Sequence, residues 1–562
     1  MFKQIRLLVV LTLASIWLAG CATYGQGVKQ GLDLTQQGQY EQAAVAMEKA
    51  LDAKGDDRLL HYMELGSIQH LAGNYQKSNE LLETAERIAE DLYTKRVSEM
   101  VVAAMTNPRN GPYRGNEFER VYINYYKALN YYLIAANAPD KKSRDAAMEG
   151  ARIEIRRIDM LLTALENEKG GYQEQADKEQ SLFYKLLKIF EKLSGEIIDK
   201  DKLVFRQDAY ANYMAGLIYE NGREYDEARV AYQKAALLYE QGYSKQYKLD
   251  GDMPMQCWFD TIRMMQKSGG WDNEWPQLAQ TKLTPAKRDE LKDYNRNGHV
   301  VVIQHVGMIP QRKEMNLLMT ADEYAREFVI QPVLTGSDAD RQEQLIWFFM
   351  LYADKSIIGL LSSLGSPDFA NKLAGFATTK RQGIGPMWSV AEGMGLMEAM
   401  KGGMRVTVPY FPMLEPRLAP SAVTVAGKQY PMLRSENLSQ LALQQNILAA
   451  SGEIQEAMAR EAFKGVTAQK VAGALGGGDL LSFASKLAVG ATSTAETRNW
   501  LLLPQEVRIT RVVLPEGEHE FTLNNPLVSG ATYSKTLKVQ KGEMTVWDVR
   551  SFASMPLTPA SK

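Results

Sequence analysis

The sequence is poor in the residues that build metal sites and covalent cross-links. Among 562 residues it has two cysteines, Cys21 and Cys257, and five histidines. Because Cys21 falls at the end of an N-terminal leader, Cys257 has no partner for a disulfide, and we expect it to fill a buried apolar space. No histidine pair has the spacing of a helical zinc site, and His299 and His305, which flank one predicted strand, fit structural histidines better than ligands. We therefore expect neither a metal nor a cofactor.

Charges of the two signs are nearly balanced, which argues against a nucleic-acid partner. The chain has 65 lysines and arginines against 67 aspartates and glutamates, whereas nucleic-acid binding requires a basic surface. Gly383 and Gly393 begin Gly-x-Gly pairs that lack the third glycine of a nucleotide loop. We expect no catalytic residue and a protein that is not an enzyme. A glutamate pair for sugar hydrolysis stays open, because the separation of two carboxylates is a property of the fold.

The sequence also has no long apolar run, although a short one lies at the N-terminus. Residues 7–19 are uncharged and follow Lys3 and Arg6, a pattern typical of a signal peptide and too short for a membrane span of ~20 residues. The tetrad Leu-Ala-Gly-Cys that ends at Cys21 resembles the lipobox of bacterial lipoproteins. This resemblance implies removal of residues 1–20, lipidation of Cys21 and stable anchoring by several acyl chains. Ala22 is not the aspartate of inner-membrane retention, so we expect an outer-membrane protein that faces the periplasm.

An internal repeat organises the first half of the chain. One set of small and aromatic residues recurs 35 positions later, close to the tetratricopeptide period of ~34 residues. The two copies are Gly38, Tyr40, Ala43, Met47 and Ala50, and then Gly73, Tyr75, Ser78, Leu82 and Ala85. A further copy contains Gly216, Tyr219, Tyr225, Ala228, Tyr232 and Ala235. Residues 21–267 are therefore predicted to form a tetratricopeptide-like α-solenoid, in which small residues let paired helices touch.

The second half of the chain has strand patterns. Residues 268–286 begin with Ser-Gly-Gly and hold few periodic apolar positions, so we interpret them as a linker. Residues 287–562 are predicted to form an α+β domain, with a buried strand near 300 and a β-meander over 507–549. The methionine- and glycine-rich stretch at about 322–404 is predicted to be a helical insertion. The expected fold is thus α+β and multidomain.

A tyrosine-rich helix is the candidate binding surface for a protein partner. Its aromatic residues are Tyr122, Tyr125, Tyr126, Tyr131 and Tyr132. Aromatic side chains are common anchors at interfaces, but rings at this spacing also fill the space between helices. Helical spacing puts most of these rings on one face and Tyr131 on another. We expect Tyr125 to be packed and Tyr131 to be the exposed anchor, with the methionine- and glycine-rich stretch as the alternative surface.

Three stretches carry a family resemblance. They are NPRNGPYRGNEFERVYINYYKALNYYLIA at 107–135, VVVIQHVGMIPQRKEM at 300–315 and TRNWLLLPQEVRITRVVLPEGEHEFTL at 497–523. They resemble a family of Gram-negative outer-membrane lipoproteins with tetratricopeptide-like repeats. Such proteins are often encoded beside lipoproteins similar to the activator of a penicillin-binding protein, which implies a role in the cell envelope. No catalytic residue is established in the family, so the resemblance implies none here.

Together these patterns favour a non-catalytic scaffold in cell-envelope assembly, anchored by lipid at the outer membrane. Its expected partner is a periplasmic or outer-membrane protein, possibly another lipoprotein, and not a nucleic acid. One alternative is a structural subunit of a secretion, polysaccharide-export or motility complex. Another is an envelope enzyme that acts on peptidoglycan or polysaccharide, with the repeats as a recruiting module.

The leader generates a direct prediction. Cys21→Ser removes the thiol that receives the lipid, so the variant should take up no alkyne fatty acid and should leave the membrane fraction, because a protein without acyl chains loses its hydrophobic anchor. Metabolic labelling followed by membrane fractionation measures both effects. A wild-type protein that is cleaved yet takes up no label would contradict the lipoprotein assignment.

Overall fold

The computed structural model describes most of the chain, and over these residues the protein is a mixed α+β protein. Helices dominate the N-terminal half and strands the C-terminal half. The leader, Cys21 and the stretch 353–378 lie outside the described residues. The described ranges are 27–94, 108–167, 185–186, 189–190, 207–249, 251–294, 297–352, 379–413, 418–474 and 493–554.

The N-terminal helices form successive pairs. They are α1 (Lys29–Gln36), α2 (Tyr40–Ala50), α3 (Arg58–Leu71), α4 (Tyr75–Thr94), α5 (Glu117–Ala136), α6 (Lys141–Asn167), α7 (Ala209–Asn221) and α8 (Tyr225–Leu238). Each odd-numbered helix packs on the even-numbered helix that follows it. Gly38 and Gly73 end the first helix of their pairs at φ angles of 74° and 79°, a left-handed conformation that glycine adopts at little cost.

Glycines inside the helices set how closely the pairs pack. A Cβ atom on Gly66 of α3 would lie 2.7 Å from Leu82 of α4, and one on Gly216 of α7 would overlap the ring of Tyr232 on α8. The expectation that small residues let paired helices touch is confirmed at both positions. The helices can approach because no side chain separates their backbones at these points.

More helices follow where the sequence predicts a linker. A π-turn (Tyr239–Tyr243) leads to α9 (Met253–Ser268), α10 (Trp275–Lys282) and α11 (Pro285–Tyr294). The range of the predicted linker, 268–286, contains α10, which buries Ala279. Pro276 is compatible with the helix because it occupies the first turn, where the missing N–H has no partner to lose. The domain limits themselves stay a prediction.

The strands of the described residues form three sheets. The strands are β1 (Gly298–Val306), β2 (Lys313–Asp322), β3 (Glu327–Val333), β4 (Lys380–Gly383), β5 (Met404–Tyr410), β6 (Ala422–Val425), β7 (Lys428–Pro431), β8 (Leu433–Asn437), β9 (Glu506–Leu514), β10 (Gly517–Asn524), β11 (Thr532–Val539) and β12 (Met544–Ser551). The first sheet has the order β12-β1-β9-β8, the second β11-β10-β6-β7 and the third β4-β3-β2-β5.

The predicted meander and the predicted insertion both differ from the structure. The last four strands occur as expected, but β9 and β12 flank β1 in the first sheet, whereas β10 and β11 belong to the second. The range 322–404 is not a purely helical insertion. It holds β3, β4, α12 (Asp338–Tyr352), α13 (Met387–Gly393) and α14 (Leu396–Met400), and it runs into β5 of the third sheet.

Strand β1 lies between two hydrophobic cores. Its side chains alternate, so Val301 and Ile303 join the large core shared with the helices, while Val300 and Val302 join a smaller core between the first and second sheets. The strand is parallel to β12 and antiparallel to β9. The long helix α15 (Leu438–Ala474) packs on β5 and completes the large core. Helices and sheets thus share one apolar interior.

Close helix packing predicts the effect of adding one methyl group. Gly216→Ala should destabilise the protein by about 1–3 kcal/mol, because the new Cβ overlaps the Tyr232 ring and forces α7 and α8 apart. Gly251→Ala is the matched control, since a Cβ there meets no atom within 4 Å. Chemical denaturation measures both. Equal stability of the two variants would contradict this description of the helix interface.

Candidate functional site

The two helices of each repeated pair face different surroundings. Helices α3, α5 and α7 carry most of the polar side chains that contact the C-terminal half, and we name them the inner helices. Helices α4, α6 and α8 make fewer such contacts, among them those of Arg144 with Glu543 and of Tyr232 with Arg511, and we name them the outer helices.

The inner helices α3 and α5 hold residues 500–502, which lead into a turn of the chain itself. Glu119 on α5 accepts a hydrogen bond from the backbone N–H of Trp500 at 2.7 Å. Glu64 on α3 accepts from the backbone N–H groups of Leu501 at 2.7 Å and Leu502 at 3.1 Å. The Trp500 indole donates to the Ser67 hydroxyl at 3.0 Å. The chain therefore fills this surface as a bound peptide would.

A buried ionic cluster joins α7 to the sheets. Glu220 accepts bidentate hydrogen bonds from Arg263 of α9 at 2.7 and 2.8 Å, and it lies 3.1 Å from Arg511 of β9. Burial alone would raise the pKa of Glu220, but the two guanidinium groups hold it well below its usual range. Tyr232 of α8 donates to the same carboxylate at 2.8 Å. Removing one partner of such a buried ion pair lowers the free energy of unfolding by several kcal/mol, because the other charge is left buried and unpaired.

Two histidines and an aspartate link α3 and α5 to β1 and β12. His70 places Nδ1 2.6 Å from Asn130 Oδ1 and Nε2 3.1 Å from Asp548. Both ring nitrogens of His70 therefore lie within hydrogen-bonding distance of a side-chain oxygen. His305 lies 2.9 Å from the other Asp548 oxygen and 2.8 Å from the Tyr125 hydroxyl, and its pKa is lowered by burial.

A pair of buried carboxyl groups joins the start of α7 to β8. Asp208 caps α7 by accepting from Ala211 N–H at 2.8 Å, and it also bonds to Glu436. Tyr243 donates to Glu436 from the π-turn. Burial raises the pKa of Asp208 to about 6, and burial beside Asp208 raises that of Glu436 well above its usual range. Two adjacent carboxyl groups favour sharing a proton over carrying two negative charges.

The predicted tyrosine anchors lie mostly inside the protein. Tyr122, Tyr125, Tyr126 and Tyr132 are 1 to 3% exposed, so in this structure they are buried instead of facing a partner. The hydroxyls of Tyr125 and Tyr126 also bond to buried side chains. The packed position expected for Tyr125 is confirmed. Tyr131 is half-buried, and its ring packs on Gly150 of α6, where a Cβ would lie 2.8 Å away. The expectation of an exposed anchor there is wrong, because the ring fills the α5–α6 contact.

Two clefts open on the outer side of the helices. The α4–α6 cleft, of about 570 Å³, has side chains of α5 between its walls. The α6–α8 cleft, of about 610 Å³, has side chains of α7 between its walls. Met160 lines both clefts and is 71% exposed. The clefts therefore form one continuous surface on the two sides of α6.

The two clefts differ in chemistry. The α6–α8 cleft is lined largely by apolar side chains, among them Ile155, Ile158, Leu162, Ala215, Val230 and Ala231. The lining of the α4–α6 cleft includes the charged residues Glu83, Glu86, Arg87, Glu90, Arg120 and Arg157. Lys127 lies behind them, 3.1 Å from Glu154, and the surrounding glutamates raise its pKa although burial lowers it. An apolar groove beside a charged one is suited to a polypeptide ligand.

Comparison with known proteins finds no match, so any assignment of function rests on the geometry of these clefts. No protein-family model matches the chain, and no curated protein or solved structure is significantly similar to it. In the part of the chain that the structure describes, no helix combines the length and apolarity needed to cross a membrane, and no cluster of three or more potential ligands could hold a metal ion. Cys257 is buried, as expected for a filler residue.

The carboxyl pair predicts how stability changes with pH. Because the pKa of Asp208 rises from 3.8 to about 6 on folding, the folded state binds protons more tightly, and stability should fall as pH rises through about 4 to 7. Glu436→Gln keeps the shape of the side chain and removes the second charge, so it should recover a few kcal/mol at the upper end of this range, less the contribution of the one hydrogen bond that loses its acceptor oxygen. Denaturation at several pH values measures the difference.

Glu518→Gln on β10, at an exposed carboxylate, is the matched control and should leave the pH profile unchanged. If Glu436→Gln lowers stability equally at all pH values, the two carboxyl groups do not share a proton.

Proposed function

We propose that the protein is a lipid-anchored, non-catalytic scaffold that binds a protein partner in the periplasm through its outer helices. The observation that carries the proposal is the continuous surface around Met160, where two clefts meet beside a side chain that is 71% exposed. Exposed apolar residues that border a cleft of this kind are typical of binding surfaces. The anchor at Cys21 would keep this surface close to the outer membrane, where it would raise the effective concentration for a membrane-bound partner.

The helical pairs are consistent with a tetratricopeptide-like α-solenoid, which is part of the proposal. Solenoids commonly bind partners on the surface made by the first helices of their repeats. In this chain that surface is filled by residues 500–502, and by β1, β9 and β12, through Glu64, Glu119, Glu220 and His70. The partner surface is therefore proposed on the outer helices, and this replaces the tyrosine-lined surface as the binding site.

Substitution of Met160 tests the proposal. Met160→Glu should weaken capture of the partner by about 2 kcal/mol, because it places a charge where an apolar side chain is buried on binding. It should change the free energy of unfolding by less than about 0.5 kcal/mol, because the side chain is exposed in the free protein. Quantified cross-linking in intact cells and denaturation of the purified protein measure the two effects.

Val45→Glu is the matched control, since Val45 is 67% exposed on α2 and lines neither cleft. Capture that is equally strong in wild type and in both variants would contradict a partner site on the outer helices. Release of peptidoglycan or polysaccharide fragments by the purified protein would instead favour the enzyme alternative.

A further inference from the structure

The outer helices α6 and α8 run side by side in the same direction. Two ion pairs connect them: Arg152 with Glu224, just before α8, at 2.6 Å, and Asp159 with Lys234 at 2.9 Å. On α6, Arg152 precedes Asp159 by seven residues. In the segment that contains α8, their partners Glu224 and Lys234 follow each other in the same order, ten residues apart. This order defines a parallel arrangement. The α6–α8 cleft is therefore a groove with two parallel helical walls.

Both walls carry an exposed apolar pair at the same spacing. Ile153 and Met160 are seven residues apart on α6 and are 40% and 71% exposed. Val230 and Leu237 are seven residues apart on α8 and are 53% and 38% exposed. Seven residues make two turns of helix, so each pair lies on one face of its helix, ~10 Å apart along the axis. Each helix thus presents a short apolar stripe to solvent beside the groove.

The groove contains small residues between its walls. Ala211 and Ala215 of α7 and Ala231 of α8 line it and are 3 to 8% exposed. Between helices, alanine leaves a hole that can take a larger side chain from another helix, as in knobs-into-holes packing. Because the walls are helices whose backbone groups already bond internally, the groove has no free strand edge to pair with an extended peptide.

We propose that this groove takes an amphipathic α-helix of the partner, with apolar residues at heptad spacing and basic residues beside them. The inference rests on the proposed function and specifies the kind of partner. Three acidic and two basic side chains line the groove, and Asp159 and Lys234 neutralise each other across it. Asp226 pairs with Arg229, and Arg156 with Glu149, at 3.6 Å each, so Glu227 at the start of α8 leaves an acidic excess of one charge. Lysine or arginine on the docked helix complements this end.

A designed peptide tests the inference on the full-length protein. The probe is a fluorescent helical peptide of about three heptads with leucine at the two core positions and lysine beside them. It should bind at least about tenfold more tightly than a peptide of the same composition that carries a central proline, because proline breaks the helix. Fluorescence anisotropy measures both affinities. Replacing the lysines with glutamates should weaken binding through repulsion from Glu227.

Val230→Gln should weaken binding of the helical peptide by about tenfold, the loss expected for one buried aliphatic side chain. Val45→Gln makes the same change outside the groove and should have no effect. Equal binding of the proline peptide, or no effect of Val230→Gln, would overturn the inference.

A photo-activated cross-linker placed at Met160 in cells separates the two levels of the proposal, which are the scaffold function and the helical form of the ligand. An adduct with a partner whose contacting segment is helical supports both levels. An adduct without binding of the helical peptide keeps the scaffold function and rejects the helical ligand. An adduct between two copies of this chain would assign the groove to self-association and overturn the inference. Absence of any adduct would reject the scaffold surface together with its ligand.

Discussion

Buried carboxylates on the inner helices are the interactions on which the rest of the structure depends. Glu64, Glu119 and Glu220 are at most 4% exposed, and each bonds to a group in the C-terminal half of the chain. A carboxylate without such a partner in this interior would carry a large desolvation cost. The helical half is therefore stable only while the sheets and the segment 500–502 cover it, so the two halves form one structural unit.

This constraint also determines where a partner can bind. The inner surface is occupied by the protein's own backbone, so only the outer helices remain for a partner among the repeats. Met160 marks the centre of that surface because it lines both clefts. The proposed scaffold thus uses one side of its helices for internal support and the other side for recognition. The lipid proposed on Cys21 would set where recognition takes place.

The parts of the fold that could be predicted from the sequence are local. Helical pairing could be predicted because the glycine at Gly38 recurs at Gly73, one repeat later. The close approach of Gly216 to Tyr232 could also be predicted, because both residues lie within one repeat. The buried charges could not be paired in advance, since Glu220 and Arg511 are 291 residues apart. A glutamate within the apolar run before Asn221 was the available signal. The position of Tyr131 was misjudged because helical spacing does not reveal that Gly150 of α6 lets the next helix cover its ring.

Hydrogen exchange on the backbone amides of Trp500, Leu501 and Leu502 tests the central claim most directly. If the inner carboxylates hold this segment, its amides should exchange as slowly as those in the middle of α3 and α5, because they open only when the two halves separate. Exchange at the rate of an exposed loop, while α3 and α5 stay protected, would contradict the account. The inner surface would then be open to a partner.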